Sequence, residues 1–134
     1  KDSEGLILLT NQGQLMDDIL RSVNGHEKEY TVTVNKKLSK DFEKRMSQPM
    51  YIKELDRWTR NCTVKVTGDY SFNIILTQGL NRQIRRMCQI LGYKVVKLQR
   101  IRIMNILLGD LQTGQYRPVT RNEYDELLSQ LNRD

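Results

Sequence analysis

Three arginines follow a glycine in the segment LTQGLNRQIRRMCQILGY, residues 76–93. Arg82, Arg85 and Arg86 lie among apolar residues, and a guanidinium can bind a carboxylate or phosphate through two parallel hydrogen bonds. Backbone N–H groups at the start of a helix also attract anions, so the stretch after Gly79 could add to such a site, although a tight turn would equally explain this glycine. The segment therefore predicts an anion-binding surface, and nothing in the composition identifies the anion.

The three arginines are not equivalent on a helix over residues 81–91. At about 100° per residue, one apolar stripe faces the core. Its members are Ile84, Met87, Cys88 and Leu91. Arg82 and Arg86 would lie opposite, in water, where a solvated face with incidental salt bridges explains them as well as an RNA contact does. Arg85 lies at the border of the stripe and could reach into a cleft, and a half-buried arginine usually has a partner.

The whole chain has the size of one domain and an excess of positive charge. Its 134 residues include 22 lysines and arginines against 16 acidic residues, which gives a net charge of +6. This excess favours a polyanionic partner, most simply a nucleic acid, although many small domains are mildly basic for no specific reason. No apolar stretch is long enough to cross a bilayer, so we expect no membrane partner.

The inventory of metal-binding and nucleophilic side chains is small. Cys62 and Cys88 form no CxxC pair and predict reduced structural thiols, as is usual in the cytoplasm. His26 is the single histidine, and we expect it on a surface loop. One histidine and two distant cysteines argue against a zinc site, and a Ser-His-Asp triad would have to use His26. Neither a P-loop nor a GxGxxG motif is present, so we expect side-chain chemistry with no cofactor and no metal.

The first quarter of the chain predicts a strand, a helix and a turn. Residues 6–10 are continuously apolar, as in a buried strand. Asn11 with Gln14 predicts the start of a helix, and Asn24-Gly25 predicts its end. The apolar face of that helix would consist of Leu15, Met16, Ile19 and Leu20.

The middle of the chain predicts a strand and a short helix. Glu29–Val34 alternates and is rich in β-branched residues, which indicates a strand. Ser39 is expected to cap a short helix that contains Phe42 and Met46 and ends before Pro49.

A hairpin and a long strand surround the arginine helix. Residues 57–67 and 70–77 are predicted to pair around Gly68-Asp69. Residues 93–103 predict a strand whose apolar positions change parity, which a β-bulge or burial on both faces would explain. Val96 and Leu98 would share one face, and Ile101 and Ile103 the other.

The last element is an amphipathic helix over residues 120–131. Thr120 and Glu123 form a capping-box pattern. Its apolar stripe is predicted to consist of Tyr124, Leu127, Leu128 and Leu131. Helices interleaved with hairpin-connected strands indicate an α+β fold, a mostly antiparallel mixed sheet with helices packed on one side.

Three sequence blocks resemble those of one family. QGLNRQIRRMCQILGYKVVKLQRIRI resembles the third motif of the bacterial RsuA/RluF-type pseudouridine synthases, an N-R-Q-I-R-R-M core followed by L-x-R-x-R-I. KDSEGLILLTNQG resembles the tail of their second motif, R-L-D-x-x-[ST]-x-G-L-L-L-L-T-N-D-G. EKEYTVTV resembles their K-x-Y strand. The blocks occur in the family's order, and their details resemble the large-ribosomal-subunit, RluF-like branch.

The resemblance implies isomerisation of uridine to pseudouridine in structured RNA in the bacterial cytoplasm. The expected substrate is 23S ribosomal RNA, with tRNA as an alternative. The family breaks the N-glycosidic bond, rotates the uracil and rejoins it through carbon. It uses an aspartate and neither a cofactor nor a metal, in agreement with the inventory above.

The resemblance also implies roles for individual residues. Tyr30 matches the tyrosine that packs against the target base, Arg85 the arginine that pairs with the catalytic aspartate, and Leu98 the apolar residue that lines the pocket. A base flipped out of the RNA needs an aromatic ring to stack on, an apolar wall beside it and a carboxylate held in position. The expected RNA-binding residues are Asn81, Arg82, Gln83, Arg86, Arg100 and Arg102.

Two departures from the family pattern qualify these expectations. Aligning Ser3 with the motif places the catalytic aspartate before Lys1, and Asp2 falls at a variable position. We therefore expect the chain to be a C-terminal portion of the catalytic domain, inactive alone, without the catalytic aspartate segment and the N-terminal RNA-binding domain. It would depend on that missing segment or on a homo-oligomer.

The second departure lies between Met46 and Thr59, where the family commonly has a glycine-containing turn. SQPMYIKELDRWT introduces charged residues and Trp58 instead. We expect an altered loop geometry without loss of chemistry. Trp58 could stack on RNA or occupy a hairpin core position.

Two other functions compete with catalysis. The chain could be a structured-RNA-binding module without activity, or a basic α+β domain that binds another protein. Salt-sensitive binding to structured RNA would separate the first from the second.

Overall fold

The computed structural model of the chain describes residues 4–7, 25–112 and 115–131. The strands are β1 (Glu4–Gly5), β2 (Lys28–Val34), β3 (Tyr51–Ile52), β4 (Arg57–Trp58), β5 (Thr63–Gly68), β6 (Ser71–Leu76), β7 (Val95–Ile103) and β8 (Ile106–Leu107). Six of them form one sheet in the order β1-β7-β2-β6-β5, with β8 also paired to β7. The β1–β7 pair is parallel and the others are antiparallel, so the predicted mixed sheet is confirmed.

The helices of the described residues are α1 (Phe42–Met46), α2 (Gln83–Ile90) and α3 (Arg121–Leu131). At the end of α2, Gly92 has a φ of 92°, and its N–H bonds to the carbonyl of Gln89 at 3.0 Å. The N–H of Tyr93 bonds to the carbonyl of Cys88 at 2.9 Å. These two bonds form a Schellman motif, which confirms Gly92 as the predicted helix end.

One face of the sheet packs against α1 and α2 and forms the main core. Alternation along β2 and β6 turns Val32, Val34, Phe72 and Ile74 to this face, and each is almost fully buried. Phe42 of α1 contacts Phe72 with a ring-centroid distance of 4.8 Å. The stripe predicted for α2 contributes Ile84, Met87 and Cys88, with Leu91 partly buried beside them. A smaller cluster joins Leu6, Ile103, Met104, Ile106 and Leu127.

Strand β7 contains the irregularities that its parity change suggested. Opposite β2, the pairing passes from Arg102 to Arg100 and later from Lys97 to Val95, which leaves Ile101 and Val96 as extra residues. The predicted shared face of Val96 and Leu98 is wrong, because the second bulge leaves Val96 exposed while Leu98 is buried.

Several local expectations change in the structure. Ser39 does not cap α1 with its side chain; its hydroxyl bonds to the carboxylate of Asp41 at 2.7 Å. His26 is buried instead of lying on the surface. Residues 57–58 leave the predicted hairpin, because β4 pairs with β3 in a separate two-stranded sheet. The strand predicted over residues 6–10 is not seen at residues 6 and 7, which follow β1. Its residues 8–10, the helix predicted from Asn11 and the Asn24 part of the turn lie outside the described residues.

Helix α3 begins with the predicted capping box. The N–H of Glu123 donates to the Thr120 hydroxyl at 3.1 Å, and the N–H of Thr120 donates to the Glu123 carboxylate at 2.9 Å. Arg117 binds the same carboxylate through two nitrogens at 2.8 Å. The Arg117 guanidinium, with the Thr120 N–H, lowers the pKa of Glu123 to about 2. Leu127 is buried and Tyr124 and Leu128 are half-buried, whereas the side chain of Leu131 lies outside the described residues.

Gly5 provides a test of the β1–β7 contact. Its φ is 129°, and a Cβ there would overlap the backbone nitrogen and oxygen of Arg100. We expect Gly5→Ala to lower the free energy of unfolding by roughly 2–4 kcal/mol, measured by urea denaturation. Gly109→Ala is the matched control, because Gly109 has a φ of 58° with open space around it and should cost roughly 1 kcal/mol. Equal losses in the two variants would contradict this account of β1.

Candidate active site

A cleft of about 720 Å³ opens between the start of α2, strand β1 and the core-facing side of the sheet. Seven of the nine site residues predicted from the sequence line it. They are Tyr30, Asn81, Arg82, Gln83, Arg85, Leu98 and Arg100. Arg86 and Arg102 are not among the lining residues. The cleft therefore brings together side chains from β2, β7 and the α2 region, which are far apart in the sequence.

Strand register explains why the sheet residues of the cleft converge. Tyr30 has the parity of Val32, so it faces the core side. On β7, Arg100 pairs with Tyr30 and Leu98 pairs with Val32. Residues directly opposite each other in an antiparallel pair share a face, so the ring, the apolar side chain and the guanidinium are adjacent.

Buried side-chain amides fix the turn that precedes α2. The Gln83 side chain is buried; its oxygen accepts the N–H of Leu80 at 3.1 Å and its nitrogen donates to the Gln78 oxygen at 3.3 Å. Arg82 precedes the helix with a left-handed φ of 49° and is exposed at the cleft. It was predicted on the helix itself, and the structure places it at the N-cap instead. The turn from residue 78 to residue 82 is thus fixed by side-chain bonds.

Arg85 lies where the helical wheel predicts, at the border between core and solvent. It is half-buried and lines the cleft. Its guanidinium acts on the neighbouring Cys88 thiol: burial raises the pKa of Cys88 to about 12, and the positive charge of Arg85 opposes that rise. Burial also raises the pKa of Cys62 to about 11. Both cysteines therefore stay protonated near neutral pH, as expected of structural thiols.

Arg86 is less exposed than the helical wheel predicts. Its side chain is 23% exposed and lies 3.9 Å from the Glu54 carboxylate. Its Nε donates to the Asn81 carbonyl at 3.0 Å, and a terminal nitrogen donates to the Asn81 side-chain oxygen at 3.0 Å. Arg86 therefore braces the turn before α2, and its predicted RNA contact stays a prediction.

Arg102 lies on the other face of the sheet from Arg100. The extra residue Ile101 reverses the alternation, so Arg102 pairs with Glu29. Its guanidinium binds the Glu29 carboxylate at 3.0 Å, the Glu27 carboxylate at 3.1 Å and the Met104 carbonyl at 2.6 Å. An RNA contact by Arg102 also stays a prediction, and it would compete with these ion pairs.

Three residues of this region were missed by sequence reasoning. Gln78 and Leu6 line the cleft, and the Arg100 Nε donates to the Leu6 carbonyl at 2.8 Å. Lys28 lies buried two residues before Tyr30, and its ammonium donates to the His26 carbonyl at 3.2 Å. Burial, and then the charge of Arg100, lower the pKa of Lys28. Two signals were available: Lys28 is the lysine of the K-x-Y block, and its parity with Tyr30 puts it on the core face.

The cleft offers hydrogen-bond donors, positive charge and apolar surface. Among the described residues, no group of three or more His, Cys, Asp or Glu side chains could hold a metal ion. In the same part of the chain, no helix has the length and apolar character needed to span a membrane.

Comparison with known proteins identifies the family. A model of the RNA pseudouridylate synthase family matches residues 1–90. The chain is 50% identical over 127 residues to the dual-specificity RNA pseudouridine synthase RluF of Escherichia coli K12, a match that covers 95% of this chain and 43% of the relative. It is 30% identical over 128 residues to ribosomal small subunit pseudouridine synthase A of Haemophilus influenzae, covering 95% of this chain and 55% of the relative.

A solved structure agrees with these matches. The fold superposes on a crystal structure of a pseudouridylate synthase with a TM-score of 0.86 and 31% sequence identity, covering 92% of this chain and 54% of that one. The chain spans about half the length of the relatives it matches. Since the family match extends over most of the sequence and the fold agrees, the chain belongs to the RNA pseudouridylate synthase family.

Proposed function

We propose that the protein to which this chain contributes converts uridine to pseudouridine in structured RNA. One observation carries the proposal: a single cleft gathers Tyr30, Arg85 and Leu98, the three residues that the family pattern associates with the target base and its acid. With a volume of about 720 Å³, the cleft is also large enough to hold a flipped nucleotide.

Each of the three residues has a distinct task in the proposed reaction. The Tyr30 ring packs against the uracil, and Leu98 forms an apolar wall that excludes water from it. Arg85 holds the carboxylate of the catalytic aspartate in an ionised, oriented state through charge-assisted hydrogen bonds. The N-glycosidic bond breaks, a bond forms from the sugar C1′ to C5 of the rotated uracil, the C5 hydrogen leaves as a proton, and the freed N1 takes up a proton.

The RNA backbone is proposed to approach from the α2 side of the cleft. Arg82 and Asn81 are exposed there, and Arg100 lies partly buried behind them. Phosphates favour such a basic rim, and each neutralised phosphate makes binding weaker as salt increases. Base edges can be recognised only once the nucleotide leaves the helix, because the major groove of A-form RNA is too narrow for side chains.

The proposed substrate is ribosomal RNA of the large subunit, with tRNA as a second candidate. The 50% identity to the RluF relative exceeds the 30% identity to the relative named for the small subunit. This difference agrees with the RluF-like details of the motifs. Such a substrate would place the protein in the cytoplasm.

We further propose that the catalytic aspartate lies outside residues 1–134. In the alignment of the second motif, the aspartate position precedes Lys1, and Asp2 matches a variable position. The cleft residues of this chain would then meet a carboxylate from a preceding segment or from a partner chain.

The first test measures tritium release from RNA labelled at uracil C5, since bond formation at C5 must expel that hydrogen. We expect no release by the 134-residue chain alone. Release is expected when the chain is joined to the segment that precedes the matched region in the E. coli relative. Release by the chain alone would contradict the proposed position of the aspartate and make Asp2 the residue to substitute. Salt-sensitive RNA binding with no release by either form would favour a non-catalytic RNA-binding module.

The second test substitutes Arg85 in the extended, active form. We expect Arg85→Ala to lower kcat by about 100- to 1000-fold, because the aspartate loses a preorganised charged partner. The dissociation constant for RNA should change by less than about threefold, since the rim arginines remain. Arg121→Ala is the matched control, because Arg121 is highly exposed on α3 and should leave both quantities unchanged. An unchanged kcat in Arg85→Ala would remove the role assigned to this arginine.

The third test concerns the basic rim. We expect Arg82→Gln to reduce the slope of log Kd against log salt by about one, because one phosphate contact is lost. Lys44→Gln removes the same charge from α1 and should leave the slope as it is. Equal slopes in the two variants would count against an RNA contact at Arg82.

A further inference from the structure

Two large aromatic side chains lie side by side on the outside of the molecule. Tyr51 of β3 and Trp58 of β4 are directly opposite each other in the small two-stranded sheet. Their ring centroids are 5.6 Å apart, with 54° between the ring planes. Trp58 is 62% exposed and Tyr51 is 43% exposed. We call this pair the aromatic platform.

Strand alternation explains why the platform faces outward. Ile52 is the neighbour of Tyr51 in β3, and its side chain is fully buried. Successive residues of a strand point to opposite faces, so burying Ile52 turns Tyr51 and Trp58 to solvent. The hairpin core position considered for Trp58 from the sequence is therefore wrong, and the exposed aromatic surface requires another explanation.

The platform is joined to the cleft through a buried glutamine. The Gln78 side chain lines the cleft, and its nitrogen donates to the Trp58 carbonyl at 3.2 Å. The oxygen of the same amide accepts the N–H of Arg60 at 2.9 Å. The buried Thr59 hydroxyl accepts the N–H of Met50 at 2.8 Å, which fixes the base of the hairpin. Trp58 thus lies one glutamine side chain away from the cleft lining.

A second brace connects the tip of the hairpin to the start of α2. Arg86 lies 3.9 Å from the Glu54 carboxylate and binds Asn81, a cleft residue, through two hydrogen bonds. With Gln78, this contact ties the hairpin to residues that line the cleft. The hairpin is thereby hydrogen-bonded to a cleft residue at its base, and at its tip Glu54 lies near an arginine that binds another cleft residue.

The charges around the platform suit a polyanion. Lys53 is exposed at the tip of this hairpin and Arg60 just after it, whereas Arg57 pairs with Ile52 and lies on the other face. Its two acids are already engaged, Glu54 with Arg86 and Asp56 with the Tyr51 hydroxyl. The bond to Asp56 also restricts the orientation of the Tyr51 ring. Exposed rings beside basic side chains are the combination that binds unpaired nucleotides.

We infer that the aromatic platform binds an unpaired base of the same RNA that delivers its uridine to the cleft. This inference rests on the proposed function and adds a second contact point to it. An RNA loop that has one nucleotide flipped into the cleft leaves neighbouring bases unstacked, and an aromatic ring replaces the lost stacking. Stacking is tolerant of base identity because every base has a π-face.

The chain contains its own reporter for this contact, because Trp58 is its single tryptophan. We expect its fluorescence to be quenched when the 134-residue chain binds an RNA hairpin whose loop contains unpaired nucleotides and a uridine. A fully paired RNA duplex of the same length and charge should bind with little quenching. Equal quenching by the duplex, or none by a hairpin that binds, would overturn the inference.

Substitutions separate stacking from electrostatic attraction. Trp58→Ala and Tyr51→Ala should each weaken binding of the RNA hairpin by roughly 5- to 100-fold. The salt slope should stay unchanged, because no charge is removed. Trp58→Phe should restore most of the affinity. Tyr70→Ala is the matched control, since Tyr70 is 50% exposed in the turn between β5 and β6 and should have no effect.

The outcomes distinguish the platform from the proposed function. If binding of the RNA hairpin depends on Arg82 but not on Trp58, the platform is overturned and the proposed function is not. Trp58 quenching by the hairpin, with no tritium release by the extended chain, would support the platform and overturn the proposed reaction. Absence of RNA-hairpin binding by the 134-residue chain would overturn the platform, and tritium release by the extended form would still support the proposed reaction.

Discussion

The register between β2 and β7 is the constraint on which the rest of the site depends. Because Tyr30 pairs with Arg100 and Val32 with Leu98, the ring, the cation and the apolar wall share the face beneath α2. A slip of one residue would turn all of them to the opposite face. The bulge at Ile101 changes the alternation beyond this point and sends Arg102 to the acids on the other face. Strand β7 therefore places Arg100 in the cleft and Arg102 on the opposite face of the sheet.

The positive charge available at the cleft depends on which arginines already have partners, and not on how many arginines there are. Arg86 binds Asn81 and lies near Glu54, and Arg102 is held by Glu27 and Glu29. These contacts turn two of the basic residues of the family motif into structural braces. Arg82 is exposed at the cleft, and Arg85 lies half-buried inside it. The positive field at the cleft is therefore set by a subset of the arginines that the sequence contains.

Buried amides connect the parts of the rim. Gln78 and Gln83 bond to each other, to the turn before α2 and to the β3–β4 hairpin. A buried side-chain amide without partners would be costly, so these bonds favour one arrangement of turn and hairpin. The arrangement fixes the distance between the cleft and the aromatic platform. A rim fixed in this way would limit the entropy lost on binding the proposed RNA loop.

The sequence by itself determined the α+β class, β2, the core stripe of α2 and its end at Gly92, because periodicity and helix-end signals are local. It also indicated Tyr30, Arg85 and Leu98 through the family motifs. Only the tertiary structure decided which residues meet. The burial of His26 and the N-cap position of Arg82 became visible only in the fold. The ion pairs of Arg102 depend on Glu27 and Glu29, which are distant in the chain, and the outward face of Trp58 depends on a two-residue strand pair. Such contacts leave no local pattern, since each is fixed by packing and register between segments that the sequence does not order in space.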